Sequence, residues 1–372
     1  MITYTPILKL KNGEITALSE MSEDKKKHIL PVLEVVCSSP RKDARDKSLD
    51  VKIASIVDKF INSKLPDFPE WLLQARGSLP FILDFKGVDI QDDLRSTALN
   101  FLLEKAHEKN QNVIVSISPS DSEEFKGMVF DLIQKYNFGL CIRIIKPDLN
   151  NIEELNLKLR NILANSKQEV ASVDLLVDIK EEQDDEKYTQ YFNAAQEIVF
   201  LGEWRNFIFS NGAFPASMGG LKSGKEHDLS RTDLIRFNAA KIKTGIVRVP
   251  SYADYSMRHP IYDPISEQHS PSPSIKYATE SNWHILKGAD NDYGHYFVNS
   301  LALTLSDRYY GEQHCWGDKM IKDKADKSVD YLKKRKAAGG TKIQAKGAGS
   351  SEDWIAIGVS HHIALTLDQL SN

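Results

Sequence analysis

The run FILDFK at Phe81–Lys86 has the length and apolar density of a buried strand, yet it holds Asp84 and Lys86. An isolated charge on a strand buried on both faces is costly unless it is paired or neutralised, so parallel strands mostly avoid it. The same exception recurs in YTPILKLK (Tyr4–Lys11), ILPVLEVV (Ile29–Val36), VIVSIS (Val113–Ser118), LCIRII (Leu140–Ile145), VDLLVDI (Val173–Ile179) and NFIFSN (Asn206–Asn211). Repetition on strand after strand points to one shared polar site built from Lys9, Glu34, Asp84, Lys86, Arg143, Asp178 and Ser210.

Between these runs lie segments with helical spacing of apolar residues: Ile15–His28, Val51–Leu65, Asp92–Lys109, Asp121–Tyr136, Asn151–Ala164, Tyr188–Leu201 and Arg231–Ile242. Strand and helix thus alternate about eight times, which predicts a parallel sheet closed as a (β/α)8 barrel of the TIM type. An open doubly wound sheet is the alternative, and no first strand–helix turn carries the glycine fingerprint it favours. The eighth strand is expected at Ile275–Thr279, followed by a helix over Tyr293–Tyr309, with Ile246–Val249 as its competitor. The barrel domain is assigned residues 1–310. A C-terminal helical extension over 311–372 holds a charged helix at Asp318–Lys336, a Gly-rich loop at Ala337–Asp353 and an apolar segment at Trp354–Leu370 that packs back on the body.

The 372 residues are 41% hydrophobic and 27% charged, as in an ordinary globular protein. A net charge of −4 and a pI near 6.2 exert no global pull toward nucleic acid or anionic membrane, although a local basic patch such as Lys333–Lys336 could still make such a contact. No apolar run approaches a membrane span, and the chain opens directly on strand-like sequence, so neither a signal peptide nor a transmembrane helix is expected. Cys37, Cys141 and Cys315 are widely spaced and odd in number. They argue against a disulfide framework or a structural zinc site and fit a reducing cytoplasm.

The head Tyr4–Lys9 with Gly13, Glu14, Ala17 and Leu18, and the following Leu30–Val35, resemble the opening of the bacterial and phage beta protein family. Tyr252–Tyr255 with His259 and Pro260, Ile275–Thr279 with Trp283, and Trp354, Gly358, His361 and His362 resemble its later blocks. The resemblance spans nearly the whole chain. It implies a barrel-like fold and occurrence near mobile elements or phage-defence genes, and it supplies no catalytic set.

Side chains alternate faces along a strand, so parity tests the shared site. Lys9 shares a face with Ile7, Glu34 with Val32, Asp84 with Ile82 and Lys86, Arg143 with Cys141, and Asp178 with Leu176. Ser116 and Ser118 share theirs. In each strand the polar residue lies toward the C-terminal end, where barrel active sites sit. The long segments Ser210–Ser230 and Pro250–Ser274 are expected as loops above that end. Tyr252, Tyr255 and His259 are expected on the second of them, placed to stack a base or sugar. Asn211 and Tyr277 complete the expected ligand contacts.

The reading is a phosphate-bearing small molecule or nucleotide, bound or hydrolysed at the mouth. Lys9, Lys86 and Arg143 would neutralise the anion, while Glu34, Asp84 and Asp178 would act as general base or hold Mg²⁺ or Mn²⁺. No histidine sits at a strand end, which weakens metal-assisted phosphodiester chemistry. A Schiff-base role for Lys9 or Lys86 is opposed by nearby acids, which should raise the lysine pKa. The bland alternative is a structural ion-pair network in a non-catalytic protein that binds a protein partner through its loops and C-terminal extension. Gly219–Lys225 is glycine-rich but misses the phosphate-loop pattern. His361 and His362, adjacent on a helix, point about 100° apart and cannot readily grip one ion. His314-Cys315-Trp316 lacks partners at ligand spacing and reads as surface or core.

Overall fold

Eight parallel strands close into a barrel in a computed structural model that describes residues 2–40, 43, 46–90, 93–264 and 272–371. Asp92 and part of the Pro250–Ser274 segment lie outside the described residues. The strands in chain order are β1 (Tyr4–Lys9), β2 (Val32–Glu34), β3 (Phe81–Asp84), β4 (Val113–Ile117), β5 (Gly139–Ile145), β6 (Val173–Glu181), β7 (Asn206–Gly212), β8 (Glu226–Ser230), β9 (Ser251–Asp254), β10 (Ser274–Ala278) and β11 (Asn282–Lys287). The barrel runs β1 to β7 and is closed by β9, which pairs with both β7 and β1. The remaining three form a separate antiparallel sheet in the order β10–β11–β8.

The eighth barrel strand is therefore Ser251–Asp254, not Ile275–Thr279 or Ile246–Val249. Ile275 and its neighbours are strand, but they turn back on Asn282–Lys287 as a hairpin, so their hydrogen bonds go to the small sheet. Two strand-like runs only a few residues apart are a hairpin signal, and a local antiparallel pairing competes well against a distant parallel one. The Ser210–Ser230 segment likewise ends in β8 rather than remaining loop throughout.

Each barrel strand sends alternate side chains to two cores. Leu8, Leu33, Leu83, Val115, Ile142, Val177, Phe209 and Tyr252 pack outward against the helices. Ile7, Val32, Ile82, Ile114, Cys141, Leu176, Ile208 and Ala253 form a layer inside the barrel, one from each strand. The helices are delimited locally. In Glu123–Tyr136 the Ser122 hydroxyl accepts from the Phe125 N–H, two acids fill the first turn, and Asn137 ends the helix in the left-handed conformation.

The C-terminal helix Ser351–Ser371 lies against the helix Asn12–Ser19 and β10, and its Val359, Ile363, Leu365 and Leu367 join the main core. Its two histidines diverge as helical geometry requires. His362 Nε2 lies 2.8 Å from Asp254 Oδ2 at the end of β9, whereas His361 turns toward Asp318 in the helix Trp316–Ala337. No helix among the described residues is long and apolar enough to cross a membrane.

Candidate ligand site at the barrel mouth

Two residues beyond the inner apolar layer, every barrel strand places a polar side chain on the same face. In strand order these are Lys9, Glu34, Asp84, Ser116, Arg143, Asp178, Ser210 and Tyr255, all buried. The register aligns Lys9 with Glu34 and Glu34 with Asp84 directly across neighbouring strands. The chain thus builds a charged layer over an apolar one with a two-residue step repeated around the barrel.

Arg143 is the hub of this layer. Its guanidinium lies 2.8 Å from Glu34, 3.0 Å from Asp84 and 2.7 Å from Asp178. Tyr255 accepts a 2.8 Å hydrogen bond from Arg143 and donates one of 2.6 Å to Asp178. Lys9 forms an ion pair with the other oxygen of Glu34. Lys180, absent from the expected set, lies 3.5 Å from Glu34 and 3.3 Å from Asp178. Three acids and three cations are thereby interleaved, which is how a buried charged cluster avoids a large desolvation cost.

These contacts fix the protonation states. Burial alone would raise the Glu34 pKa, but Lys9, Lys180 and Arg143 together hold it well below the ordinary value. Burial also opposes ionisation of Asp84 and Asp178, yet Arg143 keeps Asp84 low, and Lys180 with Arg143 brings Asp178 down to about 2. For Lys9 the sign differs from the sequence reading. Burial lowers its pKa more than Glu34 raises it, with Lys180 and Arg143 adding to the fall.

The depressed acids make a pH prediction. Because the folded pKa values lie below the unfolded ones, their stabilisation is complete above about pH 4 and is lost as the pH falls toward 2. Asp178 alone should account for roughly 2 kcal/mol of this loss. In urea titrations between pH 5 and 2, Asp178→Asn should show a shallower dependence of unfolding free energy on pH than the parent protein. An unchanged slope would mean that Asp178 does not carry the depressed pKa.

A pocket of about 290 Å³ opens above the charged layer. Five cationic side chains line it (Lys9, Lys86, Arg95, Arg143 and Lys180) against three acids (Glu34, Asp84 and Asp121). Ser116, Ser118 and Ser120 add hydroxyls, and Pro260, Ile261 and Tyr262 form an apolar side beyond β9. Arg95 forks onto Asp121 with distances of 2.8 and 3.0 Å, and its guanidinium covers the Phe125 ring.

The expected residues divide as follows. Lys9, Glu34, Asp84, Arg143, Asp178 and Tyr255 meet in one network, and Ser210 is buried in the same layer. Lys86 lies past the end of β3 in a short turn and reaches the pocket from the rim, 2.9 Å from Asp89. Asn211 accepts from the Glu182 N–H and so secures the loop after β6. His259 sits at the rim with Nε2 3.0 Å from Glu181. Tyr252 is not on a loop: it belongs to β9 and stacks on Tyr4 on the outer side of the barrel.

Two expectations need correcting. Tyr277 lies in β10 of the small sheet and donates to Asp318, away from the mouth. The oxygen-ligand reading for Mg²⁺ or Mn²⁺ on Glu34, Asp84 and Asp178 does not fit, because the Arg143 guanidinium fills the space those carboxylates share. The missed Lys180 follows Asp178 by two residues. It has a positive φ of 54° at a register shift between Asp178 and Glu181, so a bulge turns it back over the layer.

The family model described as Beta protein matches residues 4–368, nearly the whole chain. No curated protein matches it.

Proposed function

The chain belongs to the Beta protein family, and we propose that its barrel mouth binds a small phosphate-bearing molecule. The observation that carries this reading is the pocket lining, where the partly exposed ammonium groups of Lys86 and Lys180 stand with the Ser116, Ser118 and Ser120 hydroxyls directly above the C-terminal ends of the strands. Mobile ammonium groups and hydroxyls are donors suited to phosphoryl oxygens. Lys180 and Lys86 are partly exposed and can turn toward a ligand, whereas Arg143 is held by its acids and acts as fixed positive charge. The volume, close to the lower end of the usual range of about 300–1,000 Å³, suits a phosphorylated metabolite or a mononucleotide rather than a polymer.

Binding rather than hydrolysis is the function this arrangement favours. A general base needs a lone pair free to take a proton near neutral pH, and Glu34, Asp84 and Asp178 are each committed to a cation with a depressed pKa. The acids therefore orient Arg143 and Lys180 for the ligand.

Thermal denaturation and calorimetry with inorganic phosphate, pyrophosphate, sugar phosphates and nucleotides test the proposal. A phosphate-bearing compound should raise the Tm, and its dephosphorylated counterpart should bind at least about ten-fold more weakly, about 1.4 kcal/mol. Lys180→Met should weaken binding by a similar factor. If none of these compounds shifts the Tm, or if binding ignores both Lys180→Met and Lys86→Met, the charged layer is a structural ion-pair network instead.

A further inference from the structure

Away from the barrel mouth, the start of the helix Trp316–Ala337 meets the middle of the helix Ser351–Ser371. There His314, Cys315, Asp318 and His361 bring one ligand-type atom each to within 4.8 Å of one another. The contacts all converge on a single carboxylate oxygen. Asp318 Oδ2 lies 2.8 Å from His314 Nδ1, 3.1 Å from Cys315 Sγ and 2.9 Å from His361 Nδ1. Asp318 and His361 are fully buried.

The far side of each ring decides what this convergence means. His361 Nε2 lies 2.8 Å from the carbonyl oxygen of Ala278, which can only accept, so that nitrogen carries the proton. His314 Nε2 lies 3.0 Å from Asp368 Oδ2, again an acceptor. In their neutral forms both rings therefore turn Nδ1 lone pairs toward the lone pairs of Asp318 Oδ2. That arrangement is repulsive unless both rings are charged or a cation sits among the four groups.

We propose that His314 Nδ1, Cys315 Sγ, Asp318 Oδ2 and His361 Nδ1 form a tetrahedral site for a divalent metal of the Zn²⁺ class. One thiolate, two imidazoles and one carboxylate are a zinc ligand set. With the thiolate and carboxylate charged and the rings neutral, a divalent ion makes the buried site electrically neutral. Ligand atoms around zinc stand roughly 3.3–3.8 Å apart, given bond lengths of about 2.0–2.3 Å, so the ion is accommodated by widening the contacts to Asp318 by about half an ångström and drawing in the other ligand atoms, which lie within 4.8 Å of one another.

The outer shell is in place for each ligand. Ala278 and Asp368 hold the two rings through Nε2, and Tyr277 donates to Asp318 Oδ1 at 2.7 Å, leaving Oδ2 for the metal. The Ser360 hydroxyl approaches Cys315 Sγ at 3.8 Å as a donor, which favours the thiolate. Four protein ligands leave no open position, so the site is structural. It ties the two C-terminal helices together and, through Tyr277 and Ala278, fastens them to β10.

The test uses the full-length protein purified from zinc-supplemented cells. Elemental analysis should find one zinc per chain, and chelation should lower the Tm. Replacement by Co²⁺ should give visible d–d absorption and a near-ultraviolet thiolate band. Cys315→Ser should remove the thiolate band, and Asp368→Asn, which touches only the outer shell, should weaken metal affinity by about ten-fold or more. Far-UV circular dichroism confirms that each variant is folded. The proposal is overturned if the folded parent holds no stoichiometric metal and gives no cobalt spectrum, or if metal is retained equally by His314→Ala and Cys315→Ser.

Discussion

Arg143→Met is expected to destabilise the protein by about 3–5 kcal/mol, because it strands three buried carboxylates that share one guanidinium. In thermal denaturation this corresponds to a fall of roughly 4–6 °C. The pH dependence separates this cause from a simple loss of packing. Without Arg143 the carboxylate pKa values rise above their unfolded values. Stability should then increase as the pH falls from 7 toward 5, while the parent protein changes little over that window. The gap between parent and variant therefore narrows on mild acidification. A gap that stays constant would mean that Arg143 acts through its packing alone. Arg143→Lys should recover only part of the loss, since an ammonium cannot fork toward Glu34, Asp84 and Asp178 together.

Gly317→Ala should cost about 2–3 kcal/mol, for a reason that lies in helix packing rather than charge. A Cβ at position 317 would stand 2.3 Å from the Ile357 carbonyl oxygen and 3.2 Å from the His361 nitrogen. Both are backbone atoms of the facing helix, so the clash is relieved only by moving that helix away. The same close approach lets the Gly317 N–H donate to Ser360 Oγ. Gly358→Ala is the control. Its Cβ would first meet the mobile end of Met257, at 2.2 Å, and the Lys276 carbonyl oxygen at 3.0 Å, so part of the strain can relax through a side chain. Urea denaturation of the two variants should rank Gly317→Ala as the more destabilised. Equal or reversed losses would place the tight helix–helix contact elsewhere.

The barrel and its charged layer were legible because period-two alternation and the C-terminal position of each polar residue are local properties of the strands. Ile7 and Lys9, or Leu176 and Asp178, need only neighbouring sequence to be assigned to one face. The closing strand was hidden for the opposite reason. Ser251–Asp254 is short and ends in an acid, and it is identified as a barrel strand only by pairing with β7 and β1. Ile275–Thr279 has the stronger strand pattern, but the hairpin partner at Trp283–Lys287 decides its sheet. Lys180 escaped because the apolar run ends at Ile179, whereas the strand continues to Glu181 through a register shift. The cluster at Asp318 escaped because three of its groups lie within one turn and the fourth, His361, comes from a different helix. Ligand spacing along the chain cannot reveal such a site.

The most direct measurement is a crystal structure of the protein soaked with the phosphate-bearing compound that gives the largest rise in Tm. Phosphate recognition at the mouth requires the phosphoryl group to lie there, contacted by Lys180 or Lys86 above an undisturbed Arg143 network. A mouth that stays empty of the compound, or a phosphoryl group bound elsewhere on the protein, would contradict it.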